Sequence, residues 1–222
     1  AHTVGVMQTE AAIHRVAREC AEDLAADGVV YAEIRFAPEL HTEQGLSLDA
    51  VIEAVLAGFD AGSTSTELTI RVICSAMRHQ NNALEVAQAA VRYRDQGVVA
   101  FDIAGPEDGF PPDDHLVAFQ FCQRENVHIT IHAGGAYGPR SIWKALQFCG
   151  AERLGHGIRI MEDMERDANG DRMLGRLAHY LRDARIPLEV CPTSSVNTGV
   201  VEQLADHPID ELIQLRFRVT VN

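Results

Sequence analysis

Ile129-Thr130-Ile131-His132-Ala133-Gly134-Gly135 and Arg153-Leu154-Gly155-His156-Gly157 share one plan: a short apolar run that ends on histidine followed by glycine. Such runs suit strands buried on both faces. A histidine at the carboxyl end of a strand, in a chain that alternates strand with helix, stands where barrel enzymes place their chemistry.

The alternation extends outward from these two runs. Thr9 can cap a helix from Glu10, carried by Ile13, Val16, Ala17, Cys20 and Leu24 and closed by Gly28. Val29 to Phe36 reads as a strand. Leu48, Val51, Ile52, Val55 and Phe59 mark one face of the next helix, and Gly62-Ser63-Thr64-Ser65-Thr66 reads as a surface loop. Strands follow at 69–77, 98–103, 127–132, 153–156, 187–191 and 217–222. Helices are expected over 83–96, 114–125, 139–149 and 209–214, with another marked by Met173, Leu174, Leu177 and Leu181. Asn169-Gly170 falls in a loop. About seven strands, each separated from the next by a helix, imply a parallel sheet. The expected fold is α/β: an incomplete (β/α)8 barrel, strands two to eight, in a single domain over residues 1–222. A doubly wound open sheet competes. Against it, no Gly-x-Gly-x-x-Gly follows the first strand, and polar residues end many strands instead of one or two.

Nineteen basic against thirty-two acidic residues leave a formal charge of −13. An acidic surface repels nucleic acid and anionic membranes. No apolar run approaches a membrane span, and no signal-peptide pattern is present. Cys20, Cys74, Cys122, Cys149 and Cys191 are odd in number and scattered, which fits buried free thiols in a reducing, cytoplasmic compartment. Both ends read as cut, Ala1 lacking an initiator methionine and Asn222 falling inside a strand. An open barrel would expose strand edges, so association or poor solubility is expected. Composition leaves the number of subunits open.

Polar residues cluster at the strand ends: Arg35, Glu39 and His41; Arg78 and His79; Asp102 and Gly105; His132; His156; Thr193 and Ser194; Asn222. In a barrel these project onto one rim. Imidazole suits zinc, but a catalytic zinc needs about three protein ligands and an open position. His132 and His156 are too few.

These runs, taken in order, resemble adenosine deaminases of the metal-dependent amidohydrolase superfamily. Tyr31-Ala32-Glu33-Ile34-Arg35-Phe36-Ala37-Pro38 is similar to the family's second strand and Val98-Val99-Ala100-Phe101-Asp102-Ile103-Ala104-Gly105 to its fourth. His132-Ala133-Gly134 begins its His-Ala-Gly-Glu motif. Arg153 to Gly157 resembles the sixth strand, and Cys191-Pro192-Thr193-Ser194-Ser195 with Thr198-Gly199 the seventh. The resemblance implies hydrolytic deamination of a purine nucleoside, adenosine to inosine with release of ammonia, in purine salvage. It implies one Zn2+ per complete catalytic domain, with His132 as a ligand and His156 hydrogen-bonding the zinc-bound hydroxide. Gly105 would present its N–H to the purine ring.

The chain departs from the pattern at Gly135, the position of the family's proton-donating glutamate. The family's His-x-His pair would lie before Ala1 and its aspartate pair after Asn222. The chain as it stands is therefore expected to hold zinc poorly and to be inactive. Two alternatives remain at this stage: a deaminase of adenine or another 6-aminopurine, and a non-catalytic barrel that binds a nucleoside or a partner. Elsewhere the expectations are plainer. Asp102 orients a loop, and Arg35 and Glu33 take part in an ion pair in the barrel wall. His2, His14, His41, His79, His115, His128, His179 and His207 are surface or capping residues. Met161-Glu162-Asp163-Met164-Glu165 forms a solvated face.

Overall fold

A computed structural model describes residues 2–222; the side chain of His2, expected at the surface, lies outside the described residues. The described residues form two compact units, one of residues 2–102 with 121–128 and the other of 103–120 with 129–222.

In the first unit, α1 (His2–Val6) leads into α2 (Glu10–Ala26), β1 (Tyr31–Phe36), α3 (Leu48–Ser63), β2 (Thr69–Met77), α4 (Ala83–Arg92) and β3 (Val98–Ala104). The Thr9 hydroxyl accepts the Ala12 N–H at 3.3 Å, satisfying a donor that the first turn of α2 would otherwise leave open. Ser47 does the same for α3 at 3.1 Å. β1 and β2 pair in parallel, from Tyr31↔Thr69 to Phe36↔Cys74. The continuous run Val72 to Ala76 is buried, as a strand covered on both faces requires. Burial pushes the Cys74 and Cys122 thiols up to about 12, so both are inert.

The stretch expected as a loop from Gly62 differs. Gly62 and Ser63 continue α3, and the reason is contact with α2. A Cβ on Gly58 would stand 2.4 Å from the His14 carbonyl oxygen and 2.7 Å from the Ala17 Cβ. One on Gly62 would meet the Arg18 oxygen at 2.4 Å and the Ala21 Cβ at 2.7 Å. Four glycine and alanine residues thus let two helices approach closely, where a methyl group would strike backbone. Gly62→Ala is expected to destabilise the protein by about 1–3 kcal/mol, the usual cost of overpacking. Helix propensity alone predicts a gain of about 1 kcal/mol, so the sign of the change in urea midpoint decides between the two.

His41 also differs from expectation. It is buried, with Nδ1 2.9 Å from the Met7 carbonyl oxygen, and burial pulls its imidazole below the usual histidine value. Arg35 reaches Asp102, Nε to Oδ2 at 3.6 Å, while Glu33 accepts the Tyr31 hydroxyl at 2.7 Å. Asp102 is fully buried and also accepts the Ser75 hydroxyl at 2.7 Å.

In the chain order that continues from β3 come α5 (Leu116–Arg124), β4 (His128–Ala133), α6 (Pro139–Gln147), β5 (Arg153–His156), β6 (Met164–Arg166), β7 (Arg172–Leu174), α7 (Arg176–Asp183), β8 (Leu188–Val190), α8 (Pro192–Asn197), α9 (Ile209–Gln214) and β9 (Val219–Val221). In the second unit β4, β5, β8 and β9 lie side by side, each pair parallel. Ile131, Leu154 and Leu188 are wholly buried on these strands.

Met173 and Leu174, expected in a helix, instead form β7, which pairs antiparallel with β6 through Met164↔Leu174. The turn between them decides this. Asp167 Oδ1 accepts the N–H groups of Asn169 at 2.8 Å and Asp171 at 2.9 Å, and Gly170 takes a φ of 88°. An aspartate-initiated turn closed by a left-handed glycine folds the chain back before the helical spacing can act. Leu177 and Leu181 do lie buried on α7. The acidic run is a solvated face at Glu162 and Glu165, which are exposed, but not throughout. Met164 is buried, Asp163 Oδ2 accepts the Ala178 N–H at 2.8 Å, and Glu162 pairs with Arg159. His207, expected at the surface, is buried, and burial lowers its pKa.

Candidate active site

Parallel pairing sets His132 beside Gly155 and Ala133 beside His156. Gly155 makes room for this: a Cβ there would lie 3.2 Å from the His132 ring. The two imidazoles meet edge to face, with centroids 5.5 Å apart and planes at 61°. His156 has a φ of 64°, left-handed backbone that a non-glycine residue occupies only under constraint. Its successor Gly157 is left-handed as well, and its N–H bonds to the Ala133 carbonyl at 3.1 Å. Strain of this kind persists only where the surrounding structure holds it.

The two histidines line a cavity of about 170 Å3 together with Gly105, Glu107, Gly135 and Ser195. The four residues singled out from the sequence are therefore brought to one place. Gly105 has a φ of 103°, a conformation that a side chain would strain. Gly135 is buried, and a Cβ built on it would lie 3.1 Å from His156 Cδ2 and 3.2 Å from Cγ. A side chain at 135 would thus emerge against the imidazole.

Three polar lining residues were not among the expected site residues. Thr193 and Ser194 were the expected polar ends of their strand, yet Ser195 and Thr198 line the cavity. The cause is α8: once Pro192 starts a helix, positions 195 and 198 share a face and Thr193 turns to solvent. Ser195 is buried and donates to the Cys191 carbonyl at 3.1 Å. The third is Glu107, whose carboxylate accepts backbone N–H groups from Gly134 (2.6 Å), Gly135 (3.2 Å), Ala136 (2.8 Å) and Tyr137 (2.9 Å).

No group of three or more histidine, cysteine, aspartate or glutamate residues able to hold a metal ion is gathered among the described residues. His132 and His156 supply two imidazoles, fewer than the three or four protein ligands of a zinc site. The residues present do not by themselves make one.

A family model described as adenosine deaminase matches residues 1–222. An adenosine deaminase of Mycolicibacterium vanbaalenii is 60% identical over 227 residues, covering 100% of this chain and 63% of that protein. One from Mycobacteroides abscessus is 57% identical with the same coverage. The chain thus spans about 63% of the length of the curated relatives it matches. Among solved structures, an adenine deaminase from Arthrobacter aurescens superposes with a TM-score of 0.84 at 28% identity, over 97% of this chain and 63% of that one. The N6-methyl-AMP deaminase of Arabidopsis thaliana does so at 0.81 and 26%, over 97% and 62%. The fold class is that of these deaminases, which bears out the incomplete (β/α)8 barrel and sets aside the doubly wound sheet. By sequence over its whole length, the chain belongs to the adenosine deaminase family.

Proposed function

We propose that the chain carries the nucleobase end of an active site that deaminates adenosine to inosine, with water attacking C6 and ammonia leaving. The observation that carries this reading is the single cavity that unites Gly105, His132, Gly135 and His156. Its volume, about 170 Å3, is below the ~300–1000 Å3 of ordinary small-molecule sites, so it suits one heterocycle with the rest of the ligand outside. A solved Arabidopsis relative is complexed with IMP, which supports a small purine as the ligand class. Curated relatives at 57–60% identity are named adenosine deaminases, which favours adenosine. The Arthrobacter relative favours free adenine as the second reading.

In this proposal Gly105 has room to bring its N–H to the purine edge. His156 is held by its strained backbone where an imidazole can hydrogen-bond the attacking water and steady the charge it develops. His132 would be one ligand of a zinc ion, which in this chemistry makes water nucleophilic at neutral pH. The described residues do not complete that site, and no step is assigned through it. The reaction also needs a proton at N1 to make C6 electrophilic. Gly135 has no side chain to give it, Ser195 is committed to Cys191, and both Glu107 oxygens already accept N–H groups. Losing a positioned acid costs about 10²–10⁴-fold. Cysteines without disulfides fit cytoplasmic purine salvage as the setting.

The test is direct. The purified 222-residue protein, with and without added zinc, is expected to show no zinc-dependent loss of adenosine absorbance, while adenosine shifts the NMR signals of His132 and His156. Measurable turnover with one zinc bound per chain would overturn the expectation of inactivity. Shifts with adenine but not adenosine would favour the second reading.

A further inference from the structure

Residues 134–137 form a tight turn directly after β4, and their N–H groups all point at one spot. Successive amides arranged around a left-handed residue, here Gly134 at φ 72°, make a concave anion site. In many proteins such a site takes a ligand's phosphate or carboxylate. Here it is filled from within the chain, by Glu107, across 27 to 30 residues of sequence.

We propose that Glu107 is a positioning residue for the site: its carboxylate is the internal anion that fixes the Gly134–Tyr137 turn and so sets the backbone between His132 and position 135. This rests on the site reading given above. Gly134 and Gly135 are buried, so water cannot replace the carboxylate at their N–H groups. Ala136 and Tyr137 are exposed and could bond to water, so their convergence on Glu107 serves shape more than satisfaction of donors. Hydrogen bonds to an ionised acceptor are about twice as strong as neutral ones. The opposite side of the turn is held by Arg159. Its N–H donates to the Gly134 carbonyl at 3.0 Å, its guanidinium donates to the Ala136 carbonyl, and Glu162 pairs with that guanidinium. Glu107 takes the amides and Arg159 the carbonyls, which leaves the turn little freedom. Gly135 sits at its centre, against His156.

The test uses Glu107→Ala and Glu107→Gln in the 222-residue protein, followed by amide hydrogen exchange and by the NMR signals of the two histidines. In Glu107→Ala the amides of residues 134–137 are expected to exchange at least about tenfold faster, the loss of one charge-assisted bond of ~1.5 kcal/mol being enough. Exchange at Ile129 and Ile131 stays unchanged, and the His132 and His156 signals move. Glu107→Gln keeps one accepting oxygen and falls between. Should Glu107→Ala not fold, Glu107→Gln alone gives the comparison. Added formate, a small carboxylate that fits the emptied concavity, restores protection in Glu107→Ala. Unchanged exchange at 134–137, loosening spread over the whole second unit, loss that formate does not reverse, or unmoved histidine signals would each overturn the proposal. None of these readouts involves a nucleoside. If adenosine leaves both histidines undisturbed in the parent protein, the site reading fails while the role of Glu107 in the turn stands or falls on its own.

Discussion

Asp102→Ala is expected to cost about 3 kcal/mol of stability, the lower end of what breaking a buried ion pair costs. Asp102 has no exposed surface, accepts the Ser75 hydroxyl at 2.7 Å and faces Arg35 at 3.6 Å. Removing the carboxylate takes away the acceptor of a buried hydroxyl and the counter-charge of a guanidinium. The Arg35 side chain keeps 26% exposure, so water relieves part of the loss, and this places the expectation at the lower end. For a chain of this length ~3 kcal/mol corresponds to a fall in Tm of about 6–12 °C. Asp102→Asn keeps the shape and an acceptor for Ser75 and should lose clearly less. If Asp102→Ala melts within about 1 kcal/mol of the parent, the pair is not a structural tie. Ser75 on β2 and Arg35 on β1 thus give Asp102 a structural role within the sheet.

What was legible in the sequence, and what was not, divides along a physical line. Thr69–Met77, Arg153–His156 and Ile209–Gln214 have the bounds that apolar runs and helical spacing gave them. In each, the burial pattern and the local propensity agree. Gly62-Ser63 misled because glycine and serine usually mark loops, whereas here glycine serves the approach of two helices. The signal was present in the spacing: Gly58 and Gly62, four apart, answer Ala17 and Ala21, four apart. The β6–β7 hairpin was hidden for another reason. Its three-residue strands are too short to show alternation, and the turn Asp167-Ala168-Asn169-Gly170 was the only available cue.

The site divides in the same way. His132, His156 and Gly105 stand at the ends of readable strands and Gly135 was marked by the family resemblance; one cavity contains all four. Glu107 was not, because its role depends on backbone amides 27 to 30 residues away, and amides carry no sequence signature. Ser195 was missed by one position, since a proline-initiated helix changes which residues face inward.

In a longer protein whose zinc site is complete, Gly135→Glu is expected to raise adenosine deamination by about 10²–10⁴-fold over the same protein with glycine there, the effect of supplying a positioned acid. The geometry gives this substitution a direction. Gly135 is not in left-handed backbone, so a side chain imposes no strain of that kind. Its Cβ would lie 3.1–3.4 Å from His156 Cδ2, Cγ and Cβ, so the imidazole must give by a few tenths of an ångström. The new carboxyl would then extend along the histidine into the cavity that also contains Gly105, where the purine edge is proposed to lie. Gly135→Gln is the control: it has the same length and makes the same contact with His156 but has no acidic proton. Gly135→Ala isolates the steric push alone. All three variants are assayed in that longer protein against its glycine form, with inosine and ammonia quantified. A gain in Glu alone supports proton donation at this position. Equal rates in Glu and Gln would show that the side chain acts by moving His156, and equal rates in all four proteins would remove position 135 from the chemistry.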